Sequence, residues 1–158
     1  MALLTIDASV AIKWLVDETD SAKARSFLPV WNGDEVVVEH VLISPVFVLL
    51  ETHYVLAKRL NKGEIAPEQL VSATGLLRQF LTLEAVDDQL AKEAEVISIG
   101  SQPTGEGSST IQPYNIYDCV YLALANRLNS TLVTADKRQW EVAARIGVKC
   151  EFLGQAEV

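Results

Sequence analysis

Short apolar runs alternate with amphipathic helical stretches along most of this chain, and this alternation constrains its fold more than any other feature. Residues 3–6 form an apolar run of the kind found in buried parallel strands. The next stretch places Val10, Trp14 and Leu15 at helical spacing. Strands that alternate with helices build a parallel sheet through right-handed crossovers. We therefore predict a three-layer α/β/α fold with a central parallel sheet.

Local signals predict where these elements begin and end. Ser9 is the predicted cap of the first helix, Ser44-Pro45 the predicted start of a long helix, and Gly63 its predicted stop. Residues 31–34 are predicted to form a turn. The predicted strands are 3–6, 36–38, 41–43, 81–86, 131–134 and 148–152; the predicted later helices are 20–28, one opening at 66–68, 87–97, 117–128 and 137–146.

Length and composition fit one globular domain spanning residues 1–158. The chain is 49% hydrophobic and 22% charged, which is ordinary for a globular protein. The longest apolar stretch, residues 41–50, falls well short of the roughly 20 residues that span a bilayer. The N-terminus enters a strand without a basic region or a cleavage site. We therefore expect a soluble, cytoplasmic protein with no membrane partner.

Cysteine and histidine usage argues against a zinc site and a disulfide framework. The only cysteines are Cys119 and Cys150, and the only histidines are His40 and His53. Neither histidine has a His or Cys partner at zinc spacing. Two unpaired thiols are therefore expected.

Residues 100–113 differ from the rest of the chain. They are rich in glycine, serine and proline and have no hydrophobic periodicity. Such a composition is typical of a flexible loop, so we predict a flexible insertion here.

Four carboxylates stand at the ends of predicted elements. Asp7 and Asp136 follow predicted strands, whereas Glu51 and Asp118 lie in predicted helices. Sites on parallel sheets form outside the carboxyl ends of the strands, so the four can converge there. Crowded carboxylates repel one another, and a hard divalent cation relieves that repulsion. The sequence therefore predicts a metal site.

With these acids in place, the chain resembles the PIN domain, the fold of small metal-dependent ribonucleases. Its size and architecture are most similar to VapC toxins, the nuclease halves of bacterial toxin–antitoxin pairs. The resemblance extends over nearly the whole chain in the family's order, through Thr5-Ile6-Asp7-Ala8-Ser9, Ser44-Pro45 to Leu50-Glu51, Tyr117-Asp118 to Ala125, and Leu132 to Asp136.

The resemblance implies a function as well as a fold. Asp7, Glu51, Asp118 and Asp136 match the family's catalytic, metal-binding acids, which would hold Mg²⁺ or Mn²⁺. Ser9 and Thr134 match hydroxyl positions that support them. An endoribonuclease with an RNA substrate, an antitoxin partner and a homodimeric state is implied. The chain departs from the family pattern at Tyr54, where many relatives carry a small polar residue, and in the length of its 100–113 loop.

Several alternatives remain open at this point. An aspartate after a strand is often only a helix cap, which applies to Asp118 in particular, and Glu51 could pair with an arginine. A haloacid-dehalogenase-type phosphatase is disfavoured because Ser9 stands where a second aspartate is needed. A receiver domain is disfavoured because the first strand ends in a single acid. A non-toxin RNA-processing nuclease and a binding module without catalysis also remain.

The net charge of −8 argues against indiscriminate binding to nucleic acid, whose backbone attracts basic proteins. It leaves an RNA substrate open, since bound cations would offset the charge of the four acids.

Overall fold

The computed structural model describes residues 1–100 and 113–154. All but the two ends of the predicted insertion at 100–113 lies outside these residues. Within them, strands and helices alternate as predicted. The strands are β1 Ala2–Ile6, β2 Val30–Asn32, β3 Glu35–Val37, β4 His40–Pro45, β5 Thr82–Glu84, β6 Thr131–Thr134 and β7 Cys150–Phe152. The helices are α1 Ala8–Leu15, α2 Ser21–Arg25, α3 Val48–Asn61, α4 Pro67–Phe80, α5 Asp88–Gly100, α6 Ile116–Arg127 and α7 Lys137–Ile146.

A five-stranded parallel sheet forms the centre, in the order β5-β4-β1-β6-β7. Strand β1 lies in the middle, with β4 on one side and β6 on the other. Helices flank this sheet, so the predicted α/β fold with a central parallel sheet is confirmed. Strands β2 and β3 form a separate antiparallel hairpin. None of the helices in the described ranges has the length and apolar character needed to cross a membrane.

Helix α6 is the most deeply buried helix of the core. All seven residues from Cys119 to Ala125 are buried, and the helix packs on α5, β1 and β4. A helix that is apolar on all sides must be enclosed by other elements. This enclosure fixes the position of Asp118, which lies in its first turn.

The predicted helix start at Ser44-Pro45 is wrong. Both residues end β4, and α3 begins only at Val48. The Ser44 hydroxyl donates to the Ile6 carbonyl oxygen at 2.8 Å instead of capping a helix. Pro45 has no amide hydrogen to donate, and the pairing with β5 continues through the Val46 amide, which donates to the Glu84 carbonyl oxygen at 2.8 Å.

The predicted cap at Ser9 is also wrong, because Asp7 is the N-cap of α1 and accepts from the Ser9 amide. The predicted turn at 31–34 is shorter than expected, since Trp31 and Asn32 belong to β2. Gly33 makes the turn at φ 64°, a conformation that glycine adopts without steric cost.

The two cysteines are unpaired, as predicted: Cys119 is buried and Cys150 is partly buried.

Candidate active site

Asp7 and Asp136 meet because β1 and β6 are parallel neighbours. Ile6 pairs with Val133 in the register, and the Asp7 amide donates to the Val133 carbonyl oxygen at 3.1 Å. Both aspartates follow directly, so they leave the sheet at the same edge. The strand order therefore brings these two acids together at the carboxyl ends of the strands, as predicted.

Asp7 is buried and held by two hydroxyl groups. Its Oδ2 accepts from the Ser9 hydroxyl at 2.5 Å, from the Ser9 amide at 3.1 Å and from the Thr134 hydroxyl at 3.2 Å. The Ser9 Oγ also accepts from the Ala135 amide at 2.9 Å. Ser9 and Thr134 are therefore both direct hydrogen-bond partners of Asp7. Burial raises the pKa of the Asp7 carboxyl, although these hydrogen bonds oppose the shift.

Asp136 is the N-cap of α7. Its Oδ1 accepts from the backbone amides of Arg138 at 2.8 Å and Gln139 at 3.2 Å. Its own amide donates to the Thr134 hydroxyl at 3.0 Å. Asp136 is therefore a helix cap, as the alternative proposed, and it also follows the strand next to that of Asp7.

Glu51 lies in the first turn of α3 and is half-buried. Its Oε2 accepts a 2.5 Å hydrogen bond from the Tyr121 hydroxyl. Burial raises the pKa of the Glu51 carboxyl, and the charge of Asp7 raises it further. No arginine or lysine forms an ion pair with Glu51 in the described ranges, which contradicts the salt-bridge alternative.

Asp118 is not the cap of α6. That position belongs to Asn115, whose side chain accepts from the Tyr117 amide at 2.9 Å. Burial, followed by the charges of Asp7, Asp136 and Glu51, raises the pKa of the Asp118 carboxyl to about 7. The direction of this shift is the one expected of a carboxylate that other carboxylates repel.

A family model described as PIN domain matches residues 4–145. The chain belongs to the PIN-domain family. The match includes the four acids and both hydroxyl residues, Ser9 and Thr134.

Solved structures show the same fold at low sequence identity. The VapC20 toxin of Mycobacterium tuberculosis, described as cleaving the Sarcin-Ricin loop, superposes with a TM-score of 0.61 and 16% identity over 87% of this chain and 93% of that one. VapBC2 of Rickettsia felis, bound to a DNA fragment from its promoter, has a TM-score of 0.59 and 13% identity over 95% of this chain and 98% of that one. No curated protein sequence matches significantly.

The donor types of this PIN-domain site fit a hard cation, whereas its side-chain positions do not form a closed cluster. All four candidate ligands are carboxylates, the ligands that Mg²⁺ and Mn²⁺ prefer. Within residues 1–100 and 113–154, however, no group of three or more His, Cys, Asp or Glu side chains is arranged to hold a metal ion. Glu51 and Asp136 make hydrogen bonds to other partners. These bonds engage one oxygen of each carboxylate, Oε2 of Glu51 and Oδ1 of Asp136, so the acids would have to move closer together to share one ion, without losing these partners.

Two residues of this site were missed by sequence reasoning. Tyr121 is fully buried and binds Glu51, and Gln139 is fully buried and donates from Nε2 to the Asp118 carbonyl oxygen at 3.2 Å. Spacing offered a signal for both. Tyr121 follows Asp118 by three positions and Gln139 follows Asp136 by three, and residues three apart share a helix face.

Proposed function

We propose that this PIN-domain protein is a metal-dependent endoribonuclease and the toxin of a toxin–antitoxin pair, acting in the cytoplasm. Asp7, Glu51, Asp118 and Asp136 would bind Mg²⁺ or Mn²⁺ and form the catalytic site. The observation that carries the proposal is the PIN-domain match over residues 4–145, which include all four acids, together with the pairing of β1 and β6 that brings Asp7 and Asp136 to one edge of the sheet. Carboxylates that repel one another in a half-buried site are stabilised by a cation.

The chemistry expected of such a site is phosphodiester hydrolysis. A bound divalent cation would neutralise phosphate charge and lower the pKa of a water molecule. The chain's own residues would orient the ligands: Ser9 and Thr134 hold Asp7, and Tyr121 holds Glu51.

Partners are part of the same proposal. VapBC2 of Rickettsia felis is a toxin–antitoxin complex in its solved form, and its fold supports an antitoxin partner here. The hairpin β2–β3 exposes Trp31 and Val30, at 73% and 60%, and offers an apolar surface for an antitoxin or a second copy. Trp14, by contrast, is buried and donates to the Ala24 carbonyl oxygen, so it is not available for such a surface. An acidic protein suits a basic or amphipathic antitoxin segment.

The test is cleavage of structured RNA by the purified protein, with Mg²⁺ or Mn²⁺ and with a chelator. We expect cleavage that requires the metal and is lost in Asp7→Asn. Asp34→Asn is the matched control, because it removes the same charge from the exposed hairpin turn. Cleavage that persists in chelator, or survives Asp7→Asn, would contradict the proposal.

A further inference from the structure

An aromatic groove lies beside the acidic residues and shares Glu51 with them. It has a volume of about 390 Å³ and is lined by Phe47, Leu50, Glu51, Tyr54 and Tyr117. Tyr54 and Tyr117 are 60% and 55% exposed, so neither ring is needed to fill the core. Three of the five lining residues are aromatic, which distinguishes this surface from an aliphatic helix-docking groove.

The groove wall is fixed to the same buried ring that holds Glu51. Phe47 packs edge-to-face against Tyr117 and Tyr121, with ring centroids 5.5 Å and 5.3 Å apart. Tyr121 in turn donates to Glu51. A molecule seated on Phe47 and Tyr117 would therefore keep a fixed position relative to the acidic residues.

We propose that this groove binds an unpaired nucleobase of the RNA strand whose phosphate lies at the acidic residues. The inference rests on the proposed nuclease function. Exposed tyrosine and phenylalanine rings stack on bases of any sequence, because every base has a π face. A base inside a duplex is already stacked on its neighbours and cannot enter the groove.

Charge favours this occupant over a purely electrostatic mode of RNA binding. With a net charge of −8, the protein gains little affinity from general attraction to phosphates. Lys58 places its Nζ 4.2 Å from the centroid of the Tyr54 ring, so one cation stands beside the groove for a neighbouring phosphate. Stacking would then supply affinity that the acidic surface cannot.

The experiment measures binding of a short unpaired RNA oligonucleotide that contains the fluorescent base 2-aminopurine. Chelator keeps a metal-dependent enzyme from cutting it. Tyr54→Leu and Tyr117→Leu remove a ring but keep an apolar side chain, whereas Tyr54→Phe and Tyr117→Phe keep the ring. Trp31→Leu is the matched control, since it removes an exposed aromatic ring from the hairpin, whose residues do not line the groove.

We expect each leucine variant to raise Kd by about tenfold, the size of one lost stacking contact, and to reduce quenching of 2-aminopurine. The phenylalanine variants and Trp31→Leu should bind as the unmodified protein does. Binding of a fully paired duplex should be unaffected by all five changes. Because Tyr54, Tyr117 and Trp31 are exposed, all five variants should have the melting curve of the unmodified protein.

Unchanged Kd in both leucine variants would overturn the inference, as would an equal loss in the phenylalanine variants. Sedimentation showing that the leucine variants dissociate a dimer while RNA binding is unchanged would assign the groove to a second copy and also overturn it. If the protein cleaves RNA in a metal-dependent way but the leucine variants keep the Kd of the unmodified protein, the nuclease proposal is supported and the groove proposal is contradicted. Ring-dependent binding without cleavage would support the groove and contradict the nuclease.

Discussion

Tyr121 donates a 2.5 Å hydrogen bond from its hydroxyl to Oε2 of Glu51, and the two residues are 70 positions apart in the chain. The tyrosine is fully buried in α6, while the glutamate stands in the first turn of α3. The bond therefore fixes one candidate metal ligand to the most buried helix of the core. Groups that hold metal ligands in place matter almost as much as the ligands themselves.

Tyr121→Phe should weaken metal activation far more than folding. The change removes the hydroxyl that orients Glu51 but keeps the ring packed against Phe47. We expect the metal concentration for half-maximal cleavage to rise about tenfold, and stability to fall by about 1 kcal/mol. A metal titration of cleavage, with the exposed Tyr117→Phe as control, makes the comparison. If the titration curve of Tyr121→Phe coincides with that of the control, Tyr121 does not orient a metal ligand.

Much of the fold follows from local signals in the sequence. The predicted bounds of β6 and α7 match the structure, because Asp136 caps the helix and Gly147 ends it at φ 75°. The error at Ser44-Pro45 arose because a serine followed by proline is compatible with both a helix start and a strand end. The neighbouring strands decided between them: Ser44 pairs with Leu83 and donates to the Ile6 carbonyl oxygen.

The sequence pointed to the four acids and to Ser9 and Thr134, but not to the contacts made by Tyr121 and Gln139. Asp7 and Asp136 follow strands, so topology alone brings them together. The bonds from Tyr121 to Glu51 and from Gln139 to Asp118 join different elements, so spacing along one helix can suggest these residues but cannot identify their partners. The cap of α6 at Asn115, which excludes a capping role for Asp118, is a local feature that sequence reasoning passed over.

Asp136 should show two separable roles. Asp136→Asn keeps an oxygen to cap α7 and should lose most cleavage with little loss of stability. Asp136→Ala should lose cleavage and also cost about 1 kcal/mol, or about 3 °C in Tm. Cleavage rates and melting curves of both variants test this.

Asp87→Ala is the control for Asp136→Ala, because Asp87 accepts from the Leu90 amide near the start of α5. It should lower stability without affecting cleavage. If Asp136→Asn cleaves RNA at the normal rate, Asp136 is only a helix cap.

Divalent cations should stabilise the folded protein measurably. A ligand that binds only the native state adds about 2.7 kcal/mol at one hundred times its Kd. We therefore expect Mg²⁺ or Mn²⁺ to raise Tm, and the rise to shrink in Asp7→Asn but not in Asp34→Asn. Calorimetry with matched ionic strength separates this from general salt effects. An identical rise in both variants would mean that the cation does not bind at Asp7.

The stability of the metal-free protein should depend on pH because Asp118 is buried near other carboxylates. Its pKa is about 7 in the folded protein and 3.8 ordinarily, so between those values the folded state binds more protons than the unfolded state. Stability must then fall as pH rises from about 4 to about 7. Asp7 and Glu51, whose pKa values are also raised, add to the same trend.

Asp118→Asn removes one negative charge from this crowded site while keeping the shape of the side chain. In chelator, its Tm should exceed that of the unmodified protein by several degrees near pH 7, an advantage that vanishes below about pH 3, where Asp118 is protonated in both the folded and the unfolded state. Asn115 caps α6, so no capping bond is lost in this variant. Cleavage should fall to near background at every pH, because a candidate metal ligand has gone. A Tm difference independent of pH would show that Asp118 is not held among like charges, and full cleavage would show that it is not a ligand.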